Sequence, residues 1–181
     1  MKNRSYIYKQ CLVAFGVVLN IVGALLAVQL KLPIYIDSIG TVFIGIFLGS
    51  RYGVLTGMLS SAVNGFTFDY YSFYYMPVQM ILGLLSGYLP RLQLFTRRRL
   101  VLAALFIALP ASILGSVITA FVFGGITSSG TTYIIALLHH SGLSLTLSCF
   151  LVQIFTDLVD KFVVLLLIYM VSKRTTLNIE K

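Results

Sequence analysis

The chain has 181 residues, of which 59% are apolar and only 10% are charged, and its formal net charge is +8. A soluble domain usually carries about 25% charged residues, so the composition excludes an ordinary soluble domain. The basic residues lie in the gaps between apolar runs, which does not favour a nucleic-acid partner. Alternating ten-residue strand patterns, which a membrane β-barrel requires, do not occur. We predict an all-α membrane protein with a single domain over 1–181, embedded in the lipid bilayer.

In chain order, the apolar runs predict six transmembrane helices. They cover about 11–30, 37–50, 53–65, 75–90, 100–123 and 157–172. The first run is longer than the apolar part of a signal peptide and has no clear cleavage site, so we expect it to be retained. The second and third runs are too short to cross about 30 Å of hydrocarbon upright. We expect them to line a cavity or to stop partway, unless the predicted boundaries err by a few residues.

Basic residues predict the orientation of these helices. If the N-terminus is cytoplasmic, eleven of the thirteen lysines and arginines lie on the cytoplasmic side, where such residues are enriched in membrane proteins. Only Lys31 and Lys161 then lie at or near the outer face. This partition requires six crossings and cytoplasmic N- and C-termini. It places the segments 31–36, 66–74 and 124–156 outside.

Aromatic and polar side chains concentrate on this outer side. The segment 64–80, NGFTFDYYSFYYMPVQM, has seven aromatic residues among its first twelve, and four of the five acidic residues of the chain also lie on the outer side. Aromatic walls with a few orienting polar groups are typical of small-molecule sites. The candidate substrate-binding residues are Tyr35, Asp37, Asn64, Phe66, Tyr70, Tyr74, Tyr75, Gln79, His139, Asp157 and Lys161.

Several of these residues have a simpler alternative role. The tyrosines could form an interfacial belt at headgroup depth, and Asp37 could be the N-cap of the second helix. Asp157 or Asp160 could pair with Lys161 at the start of the last helix.

Catalytic and metal sites are not indicated. The adjacent His139 and His140 point to different helix faces, so we predict no metal site. Phosphate loops, HExxH motifs and serine elbows do not occur in the sequence, so we predict neither an enzyme nor a cofactor. The predicted helix centres contain no carboxylate, which argues against an ion-coupled carrier that acts alone.

Three stretches carry a resemblance to a known family: LPIYIDSIGTVFIGIFLGSRYGVLTGMLSSAVNG, YYMPVQMILGLLSGYLPR and DLVDKFVVLLLIYMVSKR. They resemble the substrate-binding S component of an energy-coupling-factor (ECF) vitamin transporter, most specifically at Asp37-Ser-Ile-Gly-Thr and at Asp160-Lys161. The resemblance implies capture of a vitamin in an outward-facing pocket in the plasma membrane of a bacterium. It also implies docking on a transmembrane coupling subunit with two cytoplasmic ABC ATPases, followed by toppling of the S component in the membrane.

The resemblance further implies a docking face of small residues on the first helix. The family often has Ala-x-x-x-Ala there, and this chain departs from that pattern. Its nearest matches are Gly16, Asn20, Gly23, Ala24 and Ala27. The alternative is that these small residues pack within the bundle.

The expected substrate follows from the polar groups on the outer side. Few basic groups are available there, which disfavours an anion such as folate. Tyrosine, amide and carboxylate groups suit a neutral or weakly basic heteroaromatic ring, so hydroxymethylpyrimidine or pyridoxine is favoured. Pantothenate is the runner-up, because one lysine could meet its carboxylate. The alternative classes are a membrane sensor or structural subunit without transport, and an ion-coupled carrier.

Overall fold

The computed structural model describes residues 2–32, 36–127 and 130–174. Those residues form eight α-helices and no strand, which confirms the all-helical prediction. The helices are α1 (Lys2–Gln29), α2 (Ile39–Leu48), α3 (Ser50–Thr67), α4 (Tyr71–Tyr74), α5 (Met76–Ser86), α6 (Leu100–Phe121), α7 (Thr131–His140) and α8 (Leu145–Arg174). A single 3-10 turn, Arg97–Arg99, leads into α6.

The helix bounds differ most from the prediction in the last third of the chain. The segment 124–156, expected to be an outer loop, contains α7 and the first part of α8, which begins twelve residues before the predicted 157. The prediction differs from the structure because the segment contains polar residues that are typical of loop sequences. Ser148 is fully buried, and its hydroxyl donates to the Ser144 carbonyl one turn earlier, so it is accommodated within a continuous helix.

Two helices in the described part of the chain are long and apolar enough to cross a membrane, Tyr6–Gln29 and Arg97–Phe121. The short helices α2 and α5 have 10 and 11 residues. At 1.5 Å per residue each is about 15 Å long, roughly half of the hydrocarbon thickness. Six crossings and the cytoplasmic position of both termini remain predictions.

Many large apolar side chains lie on the surface, and many polar side chains are buried beside the apolar core. The outward face of α1 carries Phe15, Val18, Val22 and Leu26, which are 50–54% exposed. Amide and hydroxyl groups are buried between the helices; examples are Asn20, Thr41, Thr56, Ser60, Ser112, Ser116, Thr119 and Gln153. An apolar surface with polar contacts between helices is expected of helices whose surroundings are lipid.

The small residues of α1 face the bundle, which favours the alternative to a partner-docking face. A Cβ on Gly16 would lie 2.7 Å from Ile44 in α2, and Gly23 lies against the connector that precedes α2. Ala24 and Ala27 are 7% and 3% exposed. Their physical role is therefore the close approach of α1 to its neighbours, and a partner cannot reach them in this conformation.

Asn20, the fifth residue of the predicted docking face, joins three helices. Its Nδ2 donates to Thr41 Oγ1 at 2.7 Å and to Ser60 Oγ at 2.9 Å. Its Oδ1 accepts from the Gly40 amide at 2.7 Å. Gly40 lies in the first turn of α2, where an amide has no partner within its own helix. Asn20 therefore fixes α1 to α2 and α3 and completes the start of α2.

The largest apolar core lies between α2, α5, α6 and α8, with Val42, Leu82, Ile107, Val164 and Leu165 almost fully buried. A smaller cluster joins α6, α7 and α8 around Ile135 and Cys149. A cavity lined by both apolar and polar side chains adjoins this packed bundle, beside α1 and residues 36–38; it is called the polar cavity for its carboxylate and amide groups.

Candidate functional site

The polar cavity lies between α1, α5, α6 and α8. The connector before α2 and the segment 69–75 complete its wall. The space between the lining side chains is about 780 Å³, counted out to its open side. The part of this space that the centre of a water-sized sphere can reach is about 70 Å³, which is below the range of about 300–1,000 Å³ that is usual for small-molecule sites. A single-ring ligand would therefore also occupy the open side of the cavity or require its wall to move outward.

Five of the predicted substrate-binding residues meet at this cavity although they are distant in sequence. They are Asp37 from the connector, Tyr75 and Gln79 from the start of α5, and Asp157 and Lys161 from α8. The sequence prediction placed them together only as members of an outer half. In the structure they line one cavity, together with Ala24 and Ala27 of α1.

The crowded aromatic residues are mostly outside the cavity lining. Phe66, Tyr70 and Tyr74 are 81%, 64% and 40% exposed. The Tyr70 and Tyr74 hydroxyls lie 3.2 Å apart, and Phe66 packs edge-on against Phe73. These contacts form an aromatic cluster on the surface, a position that suits the interfacial-belt alternative. Tyr75 is the residue of this stretch that contributes a ring to the cavity.

Three other candidates are placed elsewhere. His139 is exposed at the end of α7, and its Nδ1 lies 2.9 Å from the Leu143 carbonyl, a contact that closes the turn into α8. Asn64 is buried near the end of α3 but does not line the cavity. Tyr35 lies outside the described residues.

A buried ion pair stands at the α8 wall. Lys161 Nζ and Asp160 Oδ2 are 2.5 Å apart, and both side chains are 3% exposed. The pair lies in the middle of α8, not at a helix start as predicted. Ser38 supports it with a hydroxyl 3.4 Å from the same Asp160 oxygen. Removing two charges from water is costly unless they are paired, so each member holds the other in its charged form.

Two other carboxylates of the wall accept hydrogen bonds from serine hydroxyls. Asp157 accepts from the Ser112 hydroxyl at 2.8 Å, and Asp69 accepts from the Ser72 hydroxyl at 3.1 Å. Burial raises the pKa of the Asp37 carboxyl, and the positive charge of Lys161 opposes that shift. A carboxylate in such a place favours a ligand that brings a hydrogen or a positive charge.

Two buried glutamines present acceptors that are not satisfied within the described chain. Gln79 Nε2 donates to the Asp37 carbonyl at 3.3 Å, and its Oε1 has no partner. Gln153 Nε2 and the Tyr75 hydroxyl both contact Thr119 Oγ1, whose own hydrogen is donated to a carbonyl one turn earlier in α6.

Gln153 Oε1 has no hydrogen-bond partner among the described residues. Both glutamines are 5% exposed and line the cavity. Leaving a buried acceptor unpaired costs about 1–3 kcal/mol, and a bound molecule with N–H or O–H groups would satisfy them.

The sequence prediction missed Gln153 together with Asp69, Ser72 and Gly115. Gln153 lies in the segment that was predicted to be a loop. In a loop, its spacing of four residues from Asp157 would not place the two side chains on one face. In a continuous α8, the positions 153, 157 and 161 are separated by four residues each and lie on one face. This periodic polar stripe is the signal that could have identified Gln153.

The site is defined by geometry rather than by similarity. No family model, no curated protein and no solved structure matches the chain.

Proposed function

We propose that the protein is a membrane-embedded binding subunit that captures a small heteroaromatic vitamin or precursor, as the S component of an ECF-type importer. The observation that carries this proposal is the polar cavity inside an otherwise lipid-compatible bundle, with unsatisfied amide oxygens of Gln79 and Gln153 in its wall. A receptor for a polar ligand needs such preformed acceptors. A purely structural membrane subunit does not require a cavity lined by such acceptors.

The lining chemistry supports a ring with hydrogen-bond donors. Tyr75 offers an aromatic face, and its hydroxyl is held by Thr119, so the ring is fixed before a ligand arrives. Apolar groups of Leu82 and Ala111 cover another part of the wall. Hydroxymethylpyrimidine and pyridoxine combine a flat ring with hydroxyl or amino hydrogens, and both remain the favoured substrates.

Transport in this proposal is driven by partners. The chain carries no nucleotide-binding motif, so a coupling subunit and two ABC ATPases would supply the energy, with six crossings and both termini in the cytoplasm. Because Gly16, Asn20, Gly23, Ala24 and Ala27 are occupied within the bundle, the coupling subunit would contact another surface.

A second candidate function is an ion-coupled carrier that acts alone. The sequence prediction disfavoured it because no carboxylate fell at a helix centre. Asp157 and Asp160 lie near the middle of α8, which begins at Leu145. Ionisable groups at such depth are typical of proton relays, so this class must be tested beside the first.

Ligand-dependent thermal stabilisation of the purified protein tests the site. We expect hydroxymethylpyrimidine or pyridoxine to raise the melting temperature, and Gln153→Ala to lower affinity about ten- to hundredfold. Gly115→Ala should have a similar effect, because its Cβ would lie 2.7 Å from Gln153 Oε1. Phe66→Ala is the matched control, since Phe66 is exposed outside the cavity. If Phe66→Ala abolishes stabilisation while Gln153→Ala binds like wild type, the site is elsewhere.

Partner capture and reconstitution separate the function classes. An importer subunit should co-purify from its native membranes with two ABC-type ATPases and a transmembrane protein, whereas a sensor or structural subunit should not. Ligand uptake by the isolated protein in ATP-free liposomes, driven by a proton gradient, would instead establish the carrier.

A further inference from the structure

Nearly all the acidic groups of this basic protein are gathered at one cavity. The chain has five acidic residues and a net charge of +8. Asp37, Asp69 and Asp157 line the cavity, and Asp160 is bonded to the Lys161 ammonium in its wall. The fifth, Glu180, lies outside the described residues. The cavity therefore concentrates the acidic side chains of a basic protein.

The wall carries more acidic than basic side chains. Lys161 is the one cationic side chain among the described lining residues, and its close partner is Asp160 at 2.5 Å. Asp37, Asp69 and Asp157 also line the cavity, and Asp157 accepts a hydrogen bond from the uncharged Ser112 hydroxyl. A cation bound at the wall would favour the ionised form of these carboxyls.

The unpaired amide oxygens of the wall indicate which groups a ligand should carry. Gln79 Oε1 and Gln153 Oε1 have no hydrogen-bond partner, and both side chains are 95% removed from solvent. Carboxylate and amide oxygens accept hydrogen bonds and donate none. The wall thus presents several acceptors from three directions, namely the connector before α2, α5 and α8. A complementary ligand must carry several N–H or O–H donors and a positive charge.

We propose that the cavity selects an organic cation: a small heteroaromatic ring bearing a protonated amine, whose N–H groups donate to Gln79 and Gln153 and whose charge is balanced by Asp37 and Asp157. This inference rests on the proposed binding function and adds the charge state of the ligand. It removes pantothenate as the runner-up, because its carboxylate would face the aspartates. The positive charge of Lys161 is already balanced by Asp160, so it offers that carboxylate little net attraction.

Matched ligand pairs test the charge directly. Hydroxymethylpyrimidine and its aminomethyl analogue differ by one hydroxyl exchanged for one ammonium, and so do pyridoxine and pyridoxamine. Titration calorimetry on the detergent-purified full chain should give the aminomethyl member about ten- to hundredfold tighter binding in at least one pair, because hydrogen bonds between charged groups are stronger than neutral ones.

Two variants test which side chains cause the preference for a positively charged ligand. Asp157→Asn keeps the shape of the side chain and should reduce the preference for the ammonium member to about threefold or less. Gln153→Glu adds a carboxylate and should increase the preference, which keeps the test decisive if Asp157→Asn fails to fold. Phe66→Ala should leave the preference as in wild type.

The outcomes distinguish the inference from the function beneath it. If the hydroxymethyl members bind as tightly as the aminomethyl members, or more tightly, the cation preference is refuted while the proposed binding function stands. Tight binding of pantothenate would refute it in the same way. If neither pair nor pantothenate binds, the cavity is not a site for this class of ligand, and both proposals fail.

Discussion

Replacing Asn20 by alanine should destabilise the bundle strongly, although the predicted role of this residue was at a partner interface. The alanine variant loses hydrogen bonds to Thr41, Ser60 and the Gly40 amide, all fully or almost fully buried. Each lost bond is worth about 0.5–1.5 kcal/mol, and the Gly40 amide is left unsatisfied at about 1–3 kcal/mol. We expect a loss of about 3–5 kcal/mol, or roughly 6–20 °C in melting temperature for a chain of this size.

A thiol-reactive dye gives a suitable assay, because Cys149 is fully buried and reacts only when the bundle opens. Cys11 is exposed, so every variant should be made in a Cys11→Ser background. Gln29→Ala is the matched control, since it removes an exposed amide from the same helix. Ser60→Ala, which loses one of the three partners, should fall between the two. Equal melting temperatures for Asn20→Ala and Gln29→Ala would refute the role of Asn20 as a link between helices.

Two further predictions concern the ion pair and the junction of α2 and α3. Lys161→Met should lower stability by about 3–5 kcal/mol, because it leaves Asp160 buried without its ammonium. The double variant Asp160→Leu/Lys161→Met should recover much of that loss in the same dye assay, and a double variant as unstable as the single one would show that the pair does not matter. Gly49 has φ 92° and ψ 169°, a backbone region used almost only by glycine, and a Cβ there would meet no atom within 4 Å. Gly49→Ala and Gly49→Asn should therefore both cost about 1–3 kcal/mol from backbone strain alone, and a melting temperature equal to wild type for either would contradict this geometry.

Composition and periodicity predicted the fold class. They predicted the helix bounds only where the apolar sequence is uninterrupted. α6 begins at Leu100 as predicted, because a basic stretch meets an uninterrupted apolar run there. The start of α8 was missed because its first turns contain the buried Ser148 and Gln153. In a soluble protein such residues indicate an exposed segment. In a bundle whose outside is lipid, they indicate the inside face.

Some of the predicted site residues meet at the cavity, and others lie outside it. Residue types alone identified Asp37, Gln79, Asp157 and Lys161, since charged and amide groups in an apolar chain must be buried for a reason. They could not separate Tyr75 from Tyr70 and Tyr74. That distinction depends on how the short α4 turns the chain, which places Tyr75 beside Thr119 of α6 and leaves its neighbours outside.

The two faces of α8 explain why a helix with three charged side chains at its middle can still belong in a membrane. Its 30 residues make it about 45 Å long, enough to cross the hydrocarbon even when tilted. One face carries large exposed apolar side chains about one helical turn apart: Leu147, Leu151, Phe155, Val159, Val163 and Leu167.

The opposite face carries Gln153, Asp157, Asp160 and Lys161 and borders the cavity. Because the charged groups are paired or hydrogen-bonded inside the bundle, a crossing by α8 would bring only its apolar face into contact with lipid. The arrangement that would permit such a crossing also places the polar stripe of α8 beside the cavity.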